Sequence, residues 1–269
     1  IDKGWVIERM IGAGHQELEE SYLGEIKLDS QPQAPVLLEA RDIASGRDFR
    51  NISFDVRGGE VLGVYGFMGG GQLELARTLF GKTRPDHGSL AMGGRPVRFR
   101  NTASARKAGI AFVPESRRSM LFHHEPLYKN ASISILERIS RLLLKPATER
   151  RLTRVQIEAL RIKPPDVNAL LGMLSGGNQQ KVALAKWLTY APKVLVLSEP
   201  TRGMDVGAKD DVVKIVRGLR QQGIGVVVVS TEPETVLSLA DRILVMKKGE
   251  IVREFAGETV SKDRLLEVA

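Results

Sequence analysis

VLGVYGFMGGGQLEL, Val61 to Leu75, is the stretch on which the reading of the whole chain turns. A short apolar run, Val61 to Tyr65, passes through glycines at Gly66, Gly69, Gly70 and Gly71. It then continues into QLELARTLFG, whose apolar spacing predicts a helix stopped by Gly81. Apolar strand, glycine loop and helix, in that order, is the layout of a phosphate-binding loop. Glycines let backbone N–H groups converge on an anion with no side chain in the way, and the helix start adds its positive end. The full pattern, G-x-x-x-x-G-K-[ST], next requires a lysine for the outer phosphates and a hydroxyl for a metal ion. Gln72 and Leu73 stand in those two places. Taken alone, the same string reads equally well as a plain strand-to-helix turn.

Working outward, the 269 residues suffice for one large domain or two small ones. Hydrophobic residues are 42% and charged residues 27%, the balance of an ordinary globular protein. There is no cysteine, which excludes disulfides and thiolate metal sites. No apolar run approaches the roughly 18–20 residues of a membrane-spanning helix, and no signal peptide is visible. The first residue is Ile1 rather than Met, so the chain is expected to be a piece of something longer. A formal charge of +8 favours anionic partners, nucleotide phosphates among them. The basic residues are spread along the chain, with no Lys/Arg block interleaved with aromatics. Nucleic acid is therefore not expected as a partner.

Residues 1–29 hold a short amphipathic stretch, and DSQPQAP reads as a linker. VLLEARDI and NISFDVRGGEV read as two strands joined at SGRD, PVRFRN as a further strand, TASARKAG as a short helix and GIAFVPE as a buried strand. From about 125 to 172 the spacing is helical and uninterrupted, which marks a helical insert. Strand and helix then alternate: VLVL (194–197), a helix near 207–222, GVVVVS (225–230), a helix near 232–240, and a hairpin ILVMKKGEIV turning at Gly249. Continuous Val/Ile/Leu runs between helices indicate an α/β fold with a mostly parallel, doubly covered sheet.

Two further constellations carry chemistry. In LSGGNQQKVALAKWL, Ser175, Gly176 and Gly177 open a helix, giving unpaired N–H groups and a hydroxyl, a second phosphate cradle. An ordinary serine cap explains SGG alone, but not the whole string LSGGNQQK. In VLVLSEPTRGMDVGAK, an apolar strand ends at Ser198 and Glu199, the edge where α/β sheets place ligands. Glu199 suits a general base acting on water, while Ser198 stands where a metal-ordering Asp is expected.

With these residues in place, the chain resembles the ATP-binding domains of ABC transporters. More narrowly, LSGGNQQK, EPTRGMDVGAK, STEPETVLSLADRILVMKKGEIV and GIAFVPESRR resemble the second, C-terminal nucleotide-binding domain of the tandem ATPase subunit of ribose/galactose/xylose-type sugar importers. The resemblance covers about 36–269. It implies a P-loop NTPase-like domain, a parallel core with an antiparallel β portion, and a helical subdomain at about 115–175. Residues 1–35 would be the tail of a preceding domain plus linker.

The resemblance also implies site residues. Gly66 to Leu73 form the Walker A loop, and Glu115 stands at the Q-loop. Leu174, Ser175, Gly176, Gly177, Asn178 and Gln179 form the signature motif. Ser198 and Glu199 end Walker B, Asp205 belongs to the D-loop, and Thr231 takes the switch-histidine position. The aromatic that stacks on adenine in the resembled family is not identifiable in DIASGRDFRNISF, where Phe49 is the one, poor candidate. ATP is the implied ligand, with Mg²⁺ uncertain. The implied partners are the first nucleotide-binding domain of the same subunit, a transmembrane permease and, indirectly, an external solute-binding protein. The implied place is the cytoplasmic face of the cell membrane.

The departures shape the expected activity. Losing one charge-assisted hydrogen bond to phosphate costs about 1.5–3 kcal/mol, or roughly ten- to a hundredfold in affinity. Leu73 cannot ligate magnesium, and Ser198 is neutral where a carboxylate is usual. This half is expected to bind nucleotide weakly at its own Walker site, hydrolyse it slowly or not at all, and complete the partner's ATP site with Ser175, Gly176 and Gly177. A non-hydrolytic regulatory or scaffold ABC domain and a nucleoside importer ATPase stand as alternatives. A soluble ABC protein acting on ribosome or DNA fits less well, because such proteins need intact Walker sites. RRSMLFHHEPLYKN fits a docking patch or a partly buried loop equally.

Overall fold

Runs of β-branched residues too short for helices and buried on both faces build the centre of the molecule. A computed structural model describes residues 25–29, 33–139 and 143–269. Its strands are Glu25–Lys27 (β1), Val36–Ser45 (β2), Phe49–Arg57 (β3), Val61–Tyr65 (β4), His87–Met92 (β5), Arg95–Val97 (β6), Ile110–Val113 (β7), Val194–Ser198 (β8), Gly225–Ser230 (β9), Arg242–Lys247 (β10), Glu250–Ala256 (β11) and Thr259–Ser261 (β12). Its α-helices are Gln72–Leu79 (α1), Thr102–Ala108 (α2), Leu127–Ser132 (α3), Leu136–Ile139 (α4), Pro146–Ala159 (α5), Gly176–Leu188 (α6), Val206–Gln221 (α7), Pro233–Leu239 (α8) and Lys262–Val268 (α9).

The main sheet runs β11-β10-β4-β9-β8-β7. Its neighbours are parallel except for β11, which returns antiparallel through the Gly249 hairpin. Every residue of β4, β7, β8 and β9 is buried, as their continuous apolar runs require. Helix α7 buries Val212, Val213, Val216 and Leu219, spacings that fall on one helical face.

A second, antiparallel sheet is ordered β3-β2-β5-β6. The sequence reading missed β5 and drew β6 too long. Of PVRFRN only Pro96 and Val97 are strand, in β6, and Phe99 is buried. The hairpin turn between β2 and β3 presses on the glycine loop. A Cβ at Gly71 (φ +92°) would lie 2.3 Å from the Asp48 carbonyl oxygen, so only glycine fits there. The Gly249 N–H donates to Gly70 O at 3.0 Å, and the Arg50 N–H to Gly249 O at 2.9 Å. Both sheets thus hold the loop from outside.

Glu25–Lys27, read from the sequence as part of a preceding tail, pairs antiparallel with β12, and Leu28 is buried beside it. The amphipathic stretch within 1–24 lies outside the described residues. RRSMLFHHEPLYKN runs as a partly buried loop to Pro126 and then enters α3. Asn130, fully buried, donates to the carbonyls of Phe122, Glu125 and Pro126 and accepts from the Phe122 N–H at 2.8 Å.

Candidate nucleotide site

Parallel strands deliver their C-terminal ends to one edge, and part of the expected site arrives there. Gly66–Leu73 follow β4, Thr231 follows β9, Ser198–Glu199 end β8, and Glu115 follows β7, in the sheet order β4-β9-β8-β7.

The glycine loop is filled from within. Gln72 is 1% exposed, and its side-chain amide turns back into the loop. Nε2 donates to Gly66 O at 2.7 Å and to Phe67 O at 3.0 Å. Oε1 lies buried with no partner, close enough that a Cβ on Gly70 would meet it at 2.7 Å and one on Gly66 at 3.1 Å. Gly70 spends its own N–H on Phe67 O. Gln72 is therefore folded against the loop, its amide nitrogen on two loop carbonyls and its oxygen accepting from no loop N–H. A phosphate bound in the loop would gain no cation from position 72. Phe67 and Met68 project from the loop, 49% and 79% exposed.

At the metal end, each acidic group is already engaged. Ser198 is buried, and its hydroxyl donates to Glu115 Oε2 at 3.5 Å. Glu115 Oε1 pairs with Arg77 of α1, which also binds Glu74 at 3.2 Å. Desolvation works against the Glu115 charge. Its backbone hydrogen bond, Arg77 and Lys82 outweigh that and hold the carboxyl below its usual range. Glu199 is 4% exposed, with φ +49°. Ser230 Oγ donates to its Oε2 and the Thr231 N–H to its Oε1, both at 2.8 Å.

Magnesium prefers carboxylate, phosphate and water oxygens. Leu73 offers none, and the carboxylates here are bound by arginine, hydroxyl or amide. As arranged, these residues do not fit a magnesium ion. Among the described residues no cluster of three or more His, Cys, Asp or Glu has metal-binding geometry. Phe49, the poor candidate for adenine stacking, is 1% exposed inside the core and cannot reach a base. Its apolar register in β3 buries it.

The signature end differs. Ser175 caps α6, its Oγ accepting from the Asn178 N–H at 3.5 Å and from Asn178 Nδ2 at 3.1 Å. Asn178 Oδ1 accepts from the Lys163 N–H at 2.8 Å, and Gln179 Nε2 donates to Leu174 O at 2.9 Å. Ser175 and Gly176 are exposed and Leu174 is buried beneath them. A Cβ on Gly177 would lie 2.7 Å from Ala208 Cβ on α7, which Asp205 caps through the Ala208 N–H at 2.9 Å. The signature and D-loop helices therefore start side by side.

Sequence reasoning missed Arg77, which neutralises Glu115, and Arg117, whose guanidinium would stand 3.4 Å from a Cβ on Gly176. Arg77 falls four residues after Leu73 on the predicted helix, so helical spacing would have placed it on the loop's side. Arg117 carries no such signal.

Fold and site edge together define an ATP-binding cassette. A nucleotide-free ATP-binding cassette from an ABC transporter superposes with TM-score 0.73 at 21% identity, over 87% of this chain and 94% of that one. Residues 49–202, more than half of the chain, match the ABC transporter family, and the chain belongs to it. It is 36% identical to the ribose import ATP-binding protein RbsA 1 of Agrobacterium fabrum, over 97% of this chain and 54% of that protein. It is 40% identical to the ribose import ATP-binding protein RbsA 3 of Rhizobium etli, over 90% of this chain and 48% of that protein. The chain spans about half the length of these curated relatives.

Proposed function

We propose that this chain is the second ATP-binding half of a sugar-import ATPase, and that it serves chiefly by lending its signature helix to an ATP held by the other half. Its relatives are import ATP-binding proteins of twice its length, which leaves room for a first nucleotide-binding domain. In that arrangement the assembly docks on a transmembrane permease at the cytoplasmic face of the membrane, with an external solute-binding protein delivering the sugar.

The observation that carries the reading is the contrast between the two helix starts. Gln72 fills its own loop and the acidic groups beyond it are engaged, while Ser175, Gly176 and Gly177 stand exposed or half-exposed at the head of α6. Nucleotide binding at the chain's own Walker residues is weak and hydrolysis there is slow or absent, because neither the phosphate cation nor the metal oxygens are supplied. Glu199 is then held in reserve by Ser230 and Thr231 rather than aimed at water.

The test uses the two-half subunit with its permease. Ser175→Ala lowers ATP turnover by about a hundredfold or more, the scale of losing a donor at transferring phosphate. Glu199→Gln changes it by less than about twofold, within the effect of an uninvolved residue. Equal losses in both variants contradict the proposal.

A further inference from the structure

Away from the nucleotide edge, α5, α6 and α7 flank a half-open cavity of about 650 Å³. Leu160, Leu188, Ile215 and Leu219 make apolar walls. Three cations, Arg161, Lys181 and Lys214, line it against one carboxylate, Asp211. Lys181 is 7% exposed; its ammonium binds Asp211 at 2.6 Å and the Arg161 carbonyl at 3.3 Å. It thereby ties the end of α5 to α7. Lys214 is held by Asp210 at 2.5 Å, so the local balance, counting that carboxylate, stays one positive charge.

The floor of the cavity carries an independent signal. Gly218 sits inside α7, where a glycine costs about 1 kcal/mol relative to alanine. Beyond its own helical backbone and chain neighbours, nothing lies within 4 Å of the place its Cβ would take. Packing therefore does not demand this glycine, and any larger side chain would grow into the cavity. Its effect is to keep that space open.

We infer that this cavity binds a small organic anion, a carboxylate or phosphate monoester on a ring-sized apolar body. The volume lies within the roughly 300–1,000 Å³ of small-molecule sites. The apolar walls take the body. Lys181 and Arg161 supply charge-assisted donors for the headgroup, in competition with Asp211. Helix α6 begins at the signature residues and α7 just after Asp205, so an occupant bears on the two helices that form the signature face.

Calorimetric titration of the chain with phenyl phosphate tests this, with inorganic phosphate and benzyl alcohol as headgroup and body alone. Phenyl phosphate is expected to saturate at least about tenfold more tightly than either, a difference of roughly 1.4 kcal/mol. Gly218→Leu is expected to weaken it by about tenfold or more without lowering Tm, since the leucine fills open space and favours helix. Methyl NMR shifts of Ile215 and Leu219 in the unmodified chain report occupancy without any substitution. Absence of saturation up to about 10 mM phenyl phosphate, where affinity would fall below roughly 3 kcal/mol, overturns the inference. So does binding that Gly218→Leu leaves intact, that benzyl alcohol matches, or that leaves the Ile215 and Leu219 methyls unmoved.

Discussion

The head of α1 and the head of α6 start from similar material. Each is a glycine-rich turn opening a helix, with unpaired N–H groups and a positive end. They differ in the first polar side chain. Gln72 is long enough to reach back to Gly66 O and Phe67 O, and it buries itself in the hollow. Ser175 is short, caps α6 through Asn178 and leaves the face in front of the glycines open. The same kind of backbone thus carries an inward-folded amide at one helix start and an exposed serine cap at the other.

The strongest challenge to that contrast is steric. Gly177→Val puts a branched side chain where a single Cβ already meets Ala208 Cβ at 2.7 Å, forcing α6 from α7. ATP turnover of the two-half subunit should fall about a hundredfold or more, with a stability loss of about 1–3 kcal/mol in chemical denaturation. The filled end can be reopened instead. Gln72→Lys, Leu73→Thr and Ser198→Asp together return a phosphate cation and two metal oxygens. Equilibrium binding should show ATP affinity at this site rising roughly ten- to a hundredfold, with a new dependence on magnesium.

A smaller effect tests the charge network behind Ser198. Arg77 helps keep the Glu115 pKa below that of an unfolded carboxylate. The pair's contribution is therefore present above the unfolded value and lost as pH falls through the folded one. Arg77→Met should cost no more than about 1 kcal/mol at pH 7, because both side chains keep contact with solvent. In denaturant melts the gap to wild type should close as the medium is acidified through and below the carboxylate range. The smallest effect belongs to Gln72→Ala, which trims a side chain from the loop proposed to do no turnover. ATPase activity of the two-half subunit should change by less than about twofold.

Much of this was legible in the chain. Continuous valine runs announced β4, β8 and β9, because strands buried on both faces cannot alternate. Gly249 marked the β10–β11 hairpin, and the glycine loop and SEP turn follow β4 and β8 where parallel strands end. What stayed hidden depended on tertiary partners. HGSLAM has half its residues exposed and pairs with β2 only through a long return, so β5 gave no strong local pattern. Glu25–Lys27 read as a tail because its partner, β12, lies more than 200 residues away. At the site, Gln72 and Ser198 could be seen as replacements. That Gln72 turns inward and that Arg77 reaches Glu115 follow from distances no single-sequence pattern encodes.

The central claim is that this half does not burn nucleotide at its own loop. Titrating the chain with ATP, with and without Mg²⁺, while following phosphate release tests it directly. Weak binding that magnesium does not strengthen, and turnover below about 0.01 per second, is the expected result, far under the roughly 1 per second at the low end of working enzymes. Magnesium-dependent binding with turnover near about 1 per second, lost on Ser198→Ala or Glu199→Gln, would contradict it.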